Sequence, residues 1–429
     1  MMSSDQERAY EGILSWSLRS PAGSMATLAG YAGCGKSWLV AQLGLEWQRQ
    51  GVRVAYVAPT GKAALVACHF LSRAGIDAIS QTIHGAFLRP IDDEPVFDED
   101  GNRVDEVKPK TSDLAWAPRE NPETEPWLIV VDEASMLTMD VLRAAQATCP
   151  TSRFLFVGDH FQLPAIGASA GVMLTPDWRL ETVMRQALGS PIVEAAHLIR
   201  TESISAMLAF ARQFSGKAGG DSPLLVVSER MDAGGVSGMI RWTYEGGWDD
   251  GMVVVARNAT RMRVNGVARG VLRGVNDDDL KPQVGDTMVC EMNCPAFGVV
   301  NGERFRVDAV EESAPGYLSI LPRSRTHLET IDLVDRKDYH EYVRAARAAA
   351  KRLVKHGLDP DNDHFASSHR DLSVSHGYAL TCHKAQGSQA RRVVVALGDM
   401  TWGSTEERRR WAYTAMTRAT DSVRLVGNL

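Results

Sequence analysis

The sequence predicts an α/β chain built on parallel sheets. Three observations carry that expectation. Short apolar runs recur along the 429 residues, mostly separated by helix-length segments; a Gly-rich loop follows the first of them; and the pattern changes to short alternating pieces between about 281 and 335. With 44% hydrophobic and 23% charged residues, the composition is that of a globular chain rather than a disordered one.

Seven runs read as strands: Met25 to Ala29, Val52 to Ala58, Trp127 to Val131, Arg153 to Val157, Met252 to Ala256, Arg392 to Leu397 and Ser422 to Val426. Each is nearly continuous in apolar residues and ends in a polar or Gly-rich corner, as strands covered on both faces do. They fall into two sheet-rich halves, split near residue 180. From 281 to 335 the pieces Asp286 to Glu291, Glu303 to Val310 and Tyr317 to Leu321 predict a small antiparallel barrel. Next, Tyr339, Tyr342, Val343, Ala346, Ala350 and Leu353 form one stripe of a helix that Gly357 stops. No repeat of fixed period is present.

The net charge of −6 does not exclude a nucleic-acid partner, because it is unevenly spread. Residues 89–125 carry a net −7, whereas residues 336–356 carry a net +5. The chain has no run of 18 apolar residues, no basic-then-apolar start and only six scattered cysteines. The expectation is a reduced, soluble, cytoplasmic protein with no membrane partner.

Gly30-Tyr31-Ala32-Gly33-Cys34-Gly35-Lys36-Ser37 fits G-x-x-x-x-G-K-[ST] between an apolar strand and an amphipathic helix. The glycines Gly30, Gly33 and Gly35 let backbone N–H groups, including that of Cys34, converge on phosphate oxygens at a helix N-terminus. Lys36 suits the β- and γ-phosphates, and the Ser37 hydroxyl suits Mg²⁺. Leu128 to Val131 ends in Asp132 and Glu133. Asp132 suits the outer sphere of Mg²⁺, and Glu133 the orientation and deprotonation of an attacking water. Together they imply hydrolysis of a nucleoside triphosphate.

Val157-Gly158-Asp159-His160-Phe161-Gln162-Leu163-Pro164 delivers the uncharged amide of Gln162 to a turn, where it can sense a γ-phosphate. Here the chain resembles superfamily 1 helicases, whose motifs follow in order. Ala58 to Ala64 is similar to motif Ia and Gln81 to His84 to motif Ib. Arg185-Gln186 resembles motif IV, Leu380 to Ser388 motif V, and Tyr413 to Ala419 motif VI. Gln6 stands where the family reads adenine. The Thr-Ile-His block, the long gap between motifs IV and V, and Thr381-Cys382-His383-Lys384-Ala385-Gln386-Gly387 resemble the superfamily 1B RecD/Dda group. The compact length is similar to phage Dda-type members.

The resemblance implies two RecA-like P-loop domains with ATP and Mg²⁺ in their cleft, single-stranded DNA across both, and 5′→3′ movement. Domain 1A would be residues 1–180 with a pin-like insertion at 88–126. Domain 2A would be 181–280 and 373–429. A Src-homology-3-like β-barrel, 2B, would occupy 281–372 with a helical extension at about 336–357. Arg185 and Arg418 become arginine fingers; Gln386 and Gly387 join the ATP site. Pro59, Thr60, Thr82, His84, Thr381 and His383 become DNA contacts, small neutral donors that position a strand without fixing it.

Within the acidic insertion, an Asp100-Gly101 pair between strand formers signals a hairpin. In the RecD/Dda group that place carries the strand-separating pin, which makes Phe97 its apolar wedge. The expected partners are single-stranded and fork DNA, with single-stranded-DNA-binding or replication proteins as further candidates. The expected setting is a monomer in a bacterial cell, encoded by host or phage. Three competing readings stay open: a motor subunit of a RecD-type recombination complex, an RNA helicase, and a nucleotide-gated DNA-binding scaffold.

Overall fold

The computed structural model describes residues 2–76, 79–90, 116–118, 126–165, 169–182, 189–214, 223–226, 233–275, 282–291, 302–314, 317–323, 331–333 and 374–427. They belong to two units. One comprises Met1–Pro59, Ala63–His160 and Pro164–Thr182; the other comprises Thr60–Lys62, Phe161–Leu163 and Val183–Leu429.

The first unit is built on a six-stranded sheet in the order Ile79–Thr82, Val54–Ala58, Leu128–Val131, Arg153–Gly158, Met25–Gly30, Trp178–Leu180. Every neighbouring pair is parallel. Alternation explains why these strands look uniformly apolar. Leu128 and Val130 point into one core with Leu28, Leu39, Leu43 and Trp47, while Ile129 and Val131 point into another with Phe154, Phe156 and Leu142. Both faces are covered, so neither set of side chains is polar. Each such side chain contributes about 1.5–3 kcal/mol on burial.

The helix Ser4–Arg19 begins with a capping box: the Ser3 hydroxyl accepts from the Gln6 N–H, and the Gln6 side chain accepts from the Ser3 N–H. The helix Lys36–Arg49 starts from Gly35 in left-handed conformation, φ 78°. A two-stranded antiparallel ladder, Leu88–Pro90 with Trp116–Pro118, stands apart from the main sheet.

The second unit holds a five-stranded parallel sheet in the order Ala379–Thr381, Gly251–Val255, Ala390–Ala396, Ala419–Val426, Leu224–Val226. It also holds a five-stranded antiparallel sheet: Ile331–Leu333, Tyr317–Arg323, Arg304–Ala314, Thr287–Cys290, Val374–His376. The antiparallel character expected for 281–335 is present, and the sheet recruits one strand from beyond that segment.

The helix Asn258–Arg273 joins these two sheets through a stripe of buried polar residues spaced four apart. Arg261 donates to Ser375 Oγ (2.8 Å) and pairs with Glu291 (3.2 Å). Asn265 donates to the His376 carbonyl (2.7 Å) and accepts from the Ala379 N–H (2.6 Å). Arg269 pairs with the fully buried Asp286 at 2.9 Å. Spacing of four places all three on one helix face. Asp399 caps the same helix from outside, accepting from the N–H groups of Ala256 (2.7 Å) and Arg257 (2.8 Å) and from the Thr260 hydroxyl.

All seven predicted strands are present as strands. The pin hairpin with Phe97, the helical stripe at 339–356 and motif IV with Arg185 lie outside the described residues. Among the described residues, no helix is long and apolar enough to cross a membrane.

Candidate active site

The order of the first sheet brings three loops together. Met25–Gly30 leads into the phosphate loop, Leu128–Val131 into Asp132 and Glu133, and Arg153–Gly158, lying between them, into Asp159 and His160. Because the strands are parallel, all three loops leave the same edge, where α/β sheets bind ligands.

In the phosphate loop, Lys36 Nζ donates to the carbonyls of Gly30 (2.6 Å) and Tyr31 (3.1 Å). A side chain at Gly30 would crowd this arrangement, since a Cβ there would lie 3.0 Å from Lys36 Cγ and 3.1 Å from Leu180 Cβ. Gly33 and Gly35 both have positive φ, 83° and 78°. The Cys34 thiol is fully buried, and burial raises its pKa. Ser37 is exposed at the helix start.

Burial pushes the pKa of the Asp132 carboxyl up, against the opposing pull of the Glu133 N–H and the Lys36 ammonium. A carboxylate held in that surrounding gains from a further cation, so Asp132 and Ser37 fit Mg²⁺. Glu133 has φ 51° and is the sole non-glycine with positive φ among the described residues. Gln6 is fully buried, and its Nε2 donates to the Cys34 carbonyl (3.1 Å). It thus ties the first helix to the phosphate loop, and its amide retains one N–H and one acceptor lone pair.

In the second unit, Gln386 Nε2 donates to the Leu163 carbonyl (2.9 Å), and the Leu163 N–H donates to Thr414 Oγ1 (3.0 Å). Among the described residues, Gln162 Oε1, Gln386 Oε1 and Ser388 Oγ are buried without hydrogen-bond partners. A buried polar atom of this kind takes its partner from a water or a ligand. Gly387 has φ 69°. Arg418 is buried just beyond the end of the helix Thr405–Met416, with Nε donating to the Thr414 carbonyl (2.9 Å) and a terminal nitrogen to Thr417 Oγ1 (3.1 Å).

The residues read as DNA contacts divide. Thr82 Oγ1 accepts from the Gly85 N–H (3.1 Å), a helix cap that leaves its own O–H to donate. Thr381 precedes the short helix Cys382–Ala385 without a side-chain cap bond. His383 sits in that helix, where burial lowers its pKa. Thr60 clusters with the second unit and Pro59 with the first. The His84 side chain and Arg185 lie outside the described residues.

The motif reading passes over Tyr31, His160 and Asp5. The first two occupy positions the motifs leave open, where pattern carries no signal. Asp5 looks like an ordinary first-turn acid beside Gln6.

Residues 1–216 match the AAA domain family, and residues 376–426 match the UvrD-like helicase C-terminal domain. The chain is 26% identical over 406 residues to the ATP-dependent RecD2 DNA helicase of Deinococcus radiodurans, covering 92% of this chain and 46% of that protein. It is 28% identical over 424 residues to the RecBCD enzyme subunit RecD of Mycolicibacterium smegmatis, covering 94% of this chain and 68% of that one. It therefore spans about half of the first relative and about two thirds of the second. In fold it is similar to Bacteroides Pif1 helicase in complex with ADP-AlF3 and ssDNA, with TM-score 0.54, 14% identity, and coverage of 99% of this chain and 92% of that chain. Bacteroides Pif1 bound to ssDNA gives TM-score 0.53 at 14% identity, covering 100% and 92%. With half of its residues matched by the family model, the chain belongs to the AAA domain family.

Proposed function

We propose that this chain is an ATP- and Mg²⁺-dependent DNA helicase that moves 5′→3′ on single-stranded DNA and separates duplex. The observation that carries the reading is the convergence of Lys36, Asp132 and Glu133 on one edge of the parallel sheet, with Glu133 in a left-handed conformation. The ATP-hydrolysing domain would be 1–180, and the second RecA-like domain 181–280 with 373–429. Segment 88–126 serves as the pin with Phe97, and 281–372 as a Src-homology-3-like insertion. Nearness to the phage Dda-type members belongs to the same proposal, as does monomeric action on single-stranded and fork DNA.

In this reading the backbone of Gly30 to Ser37 binds the triphosphate, and Lys36 exchanges its loop carbonyls for phosphate oxygens. Ser37 and Asp132 would hold Mg²⁺, which when bound neutralises phosphate charge. Glu133 orients water and takes its proton; Gln162 senses the γ-phosphate. Arg185 and Arg418 stabilise charge in the transition state, and Gln6, Gln386 and Gly387 complete the nucleotide contacts. Pro59, Thr60, Thr82, His84, Thr381 and His383 position the DNA strand.

The test is ATP-driven strand separation on two partial duplexes, one with a 5′ tail and one with a 3′ tail, with Lys36→Ala in parallel. Unwinding confined to the 5′ tail and lost in the variant is the expected result. Preference for the 3′ tail would overturn the polarity; no unwinding by the isolated chain would overturn independent helicase action. The RecD relatives favour a second reading, a motor subunit of a larger recombination assembly. Unwinding without any added protein separates the two.

A further inference from the structure

We infer that Tyr31 and His160 form a positioning pair that keeps the segment carrying Gln162 in step with the phosphate loop. The inference rests on the ATP-hydrolysis reading above and assigns roles to two residues outside its catalytic set.

Tyr31 occupies a position of the phosphate loop where the motif admits any side chain, so loop geometry does not require a phenol. Its Oη lies 2.9 Å from His160 Nε2 and shares a hydrogen bond with it, the rings being 4.8 Å apart and inclined at 49°. The Tyr31 carbonyl accepts from Lys36 Nζ. One residue therefore touches the loop lysine through its backbone and His160 through its side chain. A displacement of Lys36 toward phosphate removes a bond from Tyr31, and the phenol transmits the adjustment to His160.

What His160 controls follows from its place in the chain. It is the last residue of its block in the first unit, and Phe161 opens the three-residue segment that belongs to the second. That segment has its own anchors. Phe161 packs edge-to-face on Tyr413 with ring centroids 5.3 Å apart, and Leu163 is hydrogen bonded through both its N–H and its carbonyl. Gln162 lies between these anchors, its buried Oε1 without a hydrogen-bond partner among the described residues. Two residues span at most about 7 Å of extended chain, so there is little slack between the imidazole and the Gln162 backbone. The Tyr31 hydroxyl is the tether on the phosphate-loop side.

Tyr31→Phe removes only the hydroxyl. In single-stranded-DNA-stimulated ATP hydrolysis by the full chain, kcat is expected to fall roughly tenfold, the effect of one modest hydrogen bond. KM, ADP affinity and Tm should remain near wild type. His160→Leu should give a similar loss, and the double variant should be no slower than the worse single variant, because both remove the same bond. His160→Gln, which keeps a polar partner for the phenol, should recover part of the rate. An unchanged kcat in Tyr31→Phe, or losses that multiply in the double variant, would overturn the pair.

A second readout does not depend on turnover. Adding ADP should shift the His160 imidazole resonance in wild type and shift it much less in Tyr31→Phe. No shift in wild type would overturn the inference. If the wild-type chain binds ADP and shows that shift but hydrolyses no ATP, the hydrolysis reading fails while the tether stands.

Discussion

Asp132 Oδ1 accepts a hydrogen bond from the N–H of its own neighbour, Glu133, at 2.8 Å. The bond closes a tight turn in which Glu133 takes φ 51° and ψ 37° and starts the 3₁₀ turn Ala134–Met136. A left-handed conformation costs a side-chain-bearing residue on the order of 1–2 kcal/mol, and strain of this kind collects at functional positions. Replacement should separate the structural demand from the chemical one. Glu133→Gln and Glu133→Gly should both lose most hydrolysis, on the order of a hundredfold or more, while still binding nucleotide. The glycine variant should melt no lower than the glutamine variant, because glycine adopts this φ without a Cβ penalty. Steady-state hydrolysis, nucleotide titration and thermal denaturation check the three expectations.

Asp5 should make the first unit acid-sensitive. Its Oδ2 accepts from the N–H groups of Glu181 (2.7 Å) and Thr182 (2.9 Å), and the Ser3 hydroxyl bonds its other oxygen. Burial alone would raise its pKa; the Ser3, Thr182 and Glu181 hydrogen bonds outweigh that and bring it down to about 2. A folded-state pKa below the unfolded one gives stability that is present at neutral pH. That stability is lost as pH falls from about 4 toward 2. Asp5→Asn should cost about 1–2 kcal/mol at pH 7 and flatten the dependence of Tm on pH in that window. An unaltered acid limb would show that other carboxyls govern it.

The buried pair of Arg269 and Asp286 predicts an asymmetric response. Asp286 also accepts from the Tyr378 hydroxyl (3.1 Å) and the Gln283 N–H (2.9 Å). Asp286→Ala takes the paired carboxylate away from the buried guanidinium and should destabilise by roughly 3–5 kcal/mol in denaturant titration. Replacing both residues by apolar ones of similar volume should recover much of that loss. A double variant as unstable as Asp286→Ala would contradict this.

Arg418 is hydrogen bonded within its own motif, and its planar fork matches those acceptors in a way an ammonium does not. Arg418→Lys should therefore reduce hydrolysis by about 10³-fold while ATP affinity changes little. A near-normal rate would reduce Arg418 to a brace for its helix.

Legibility in the sequence followed burial. Strands covered on both faces, such as Leu128–Val131, stand out as continuous apolar runs. Three-residue strands such as Trp178–Leu180 and Ala379–Thr381 are too short to show a period and emerge only through their neighbours. Arg261, Asn265 and Arg269 look like the solvated face of a helix, yet they are its buried side, because acceptors 17 to 114 positions away come to meet them. In the candidate site, glycines and charged residues at motif spacing were readable. Tyr31 and His160 were not, since a contact between two unconstrained positions leaves no trace along one sequence.

The ladder of Leu88–Pro90 with Trp116–Pro118 has a consequence for how this architecture can change. Its register sets Pro90 opposite Trp116, so the chain departs from and returns to the same rung. A segment joining those two residues starts and ends on one rung, so the six-stranded sheet need not alter its connectivity to accommodate a longer, shorter or unrelated one. The stem is a grafting point: a short turn joining Pro90 to Trp116 would trim the chain there, and a foreign hairpin could be spliced onto the same rung.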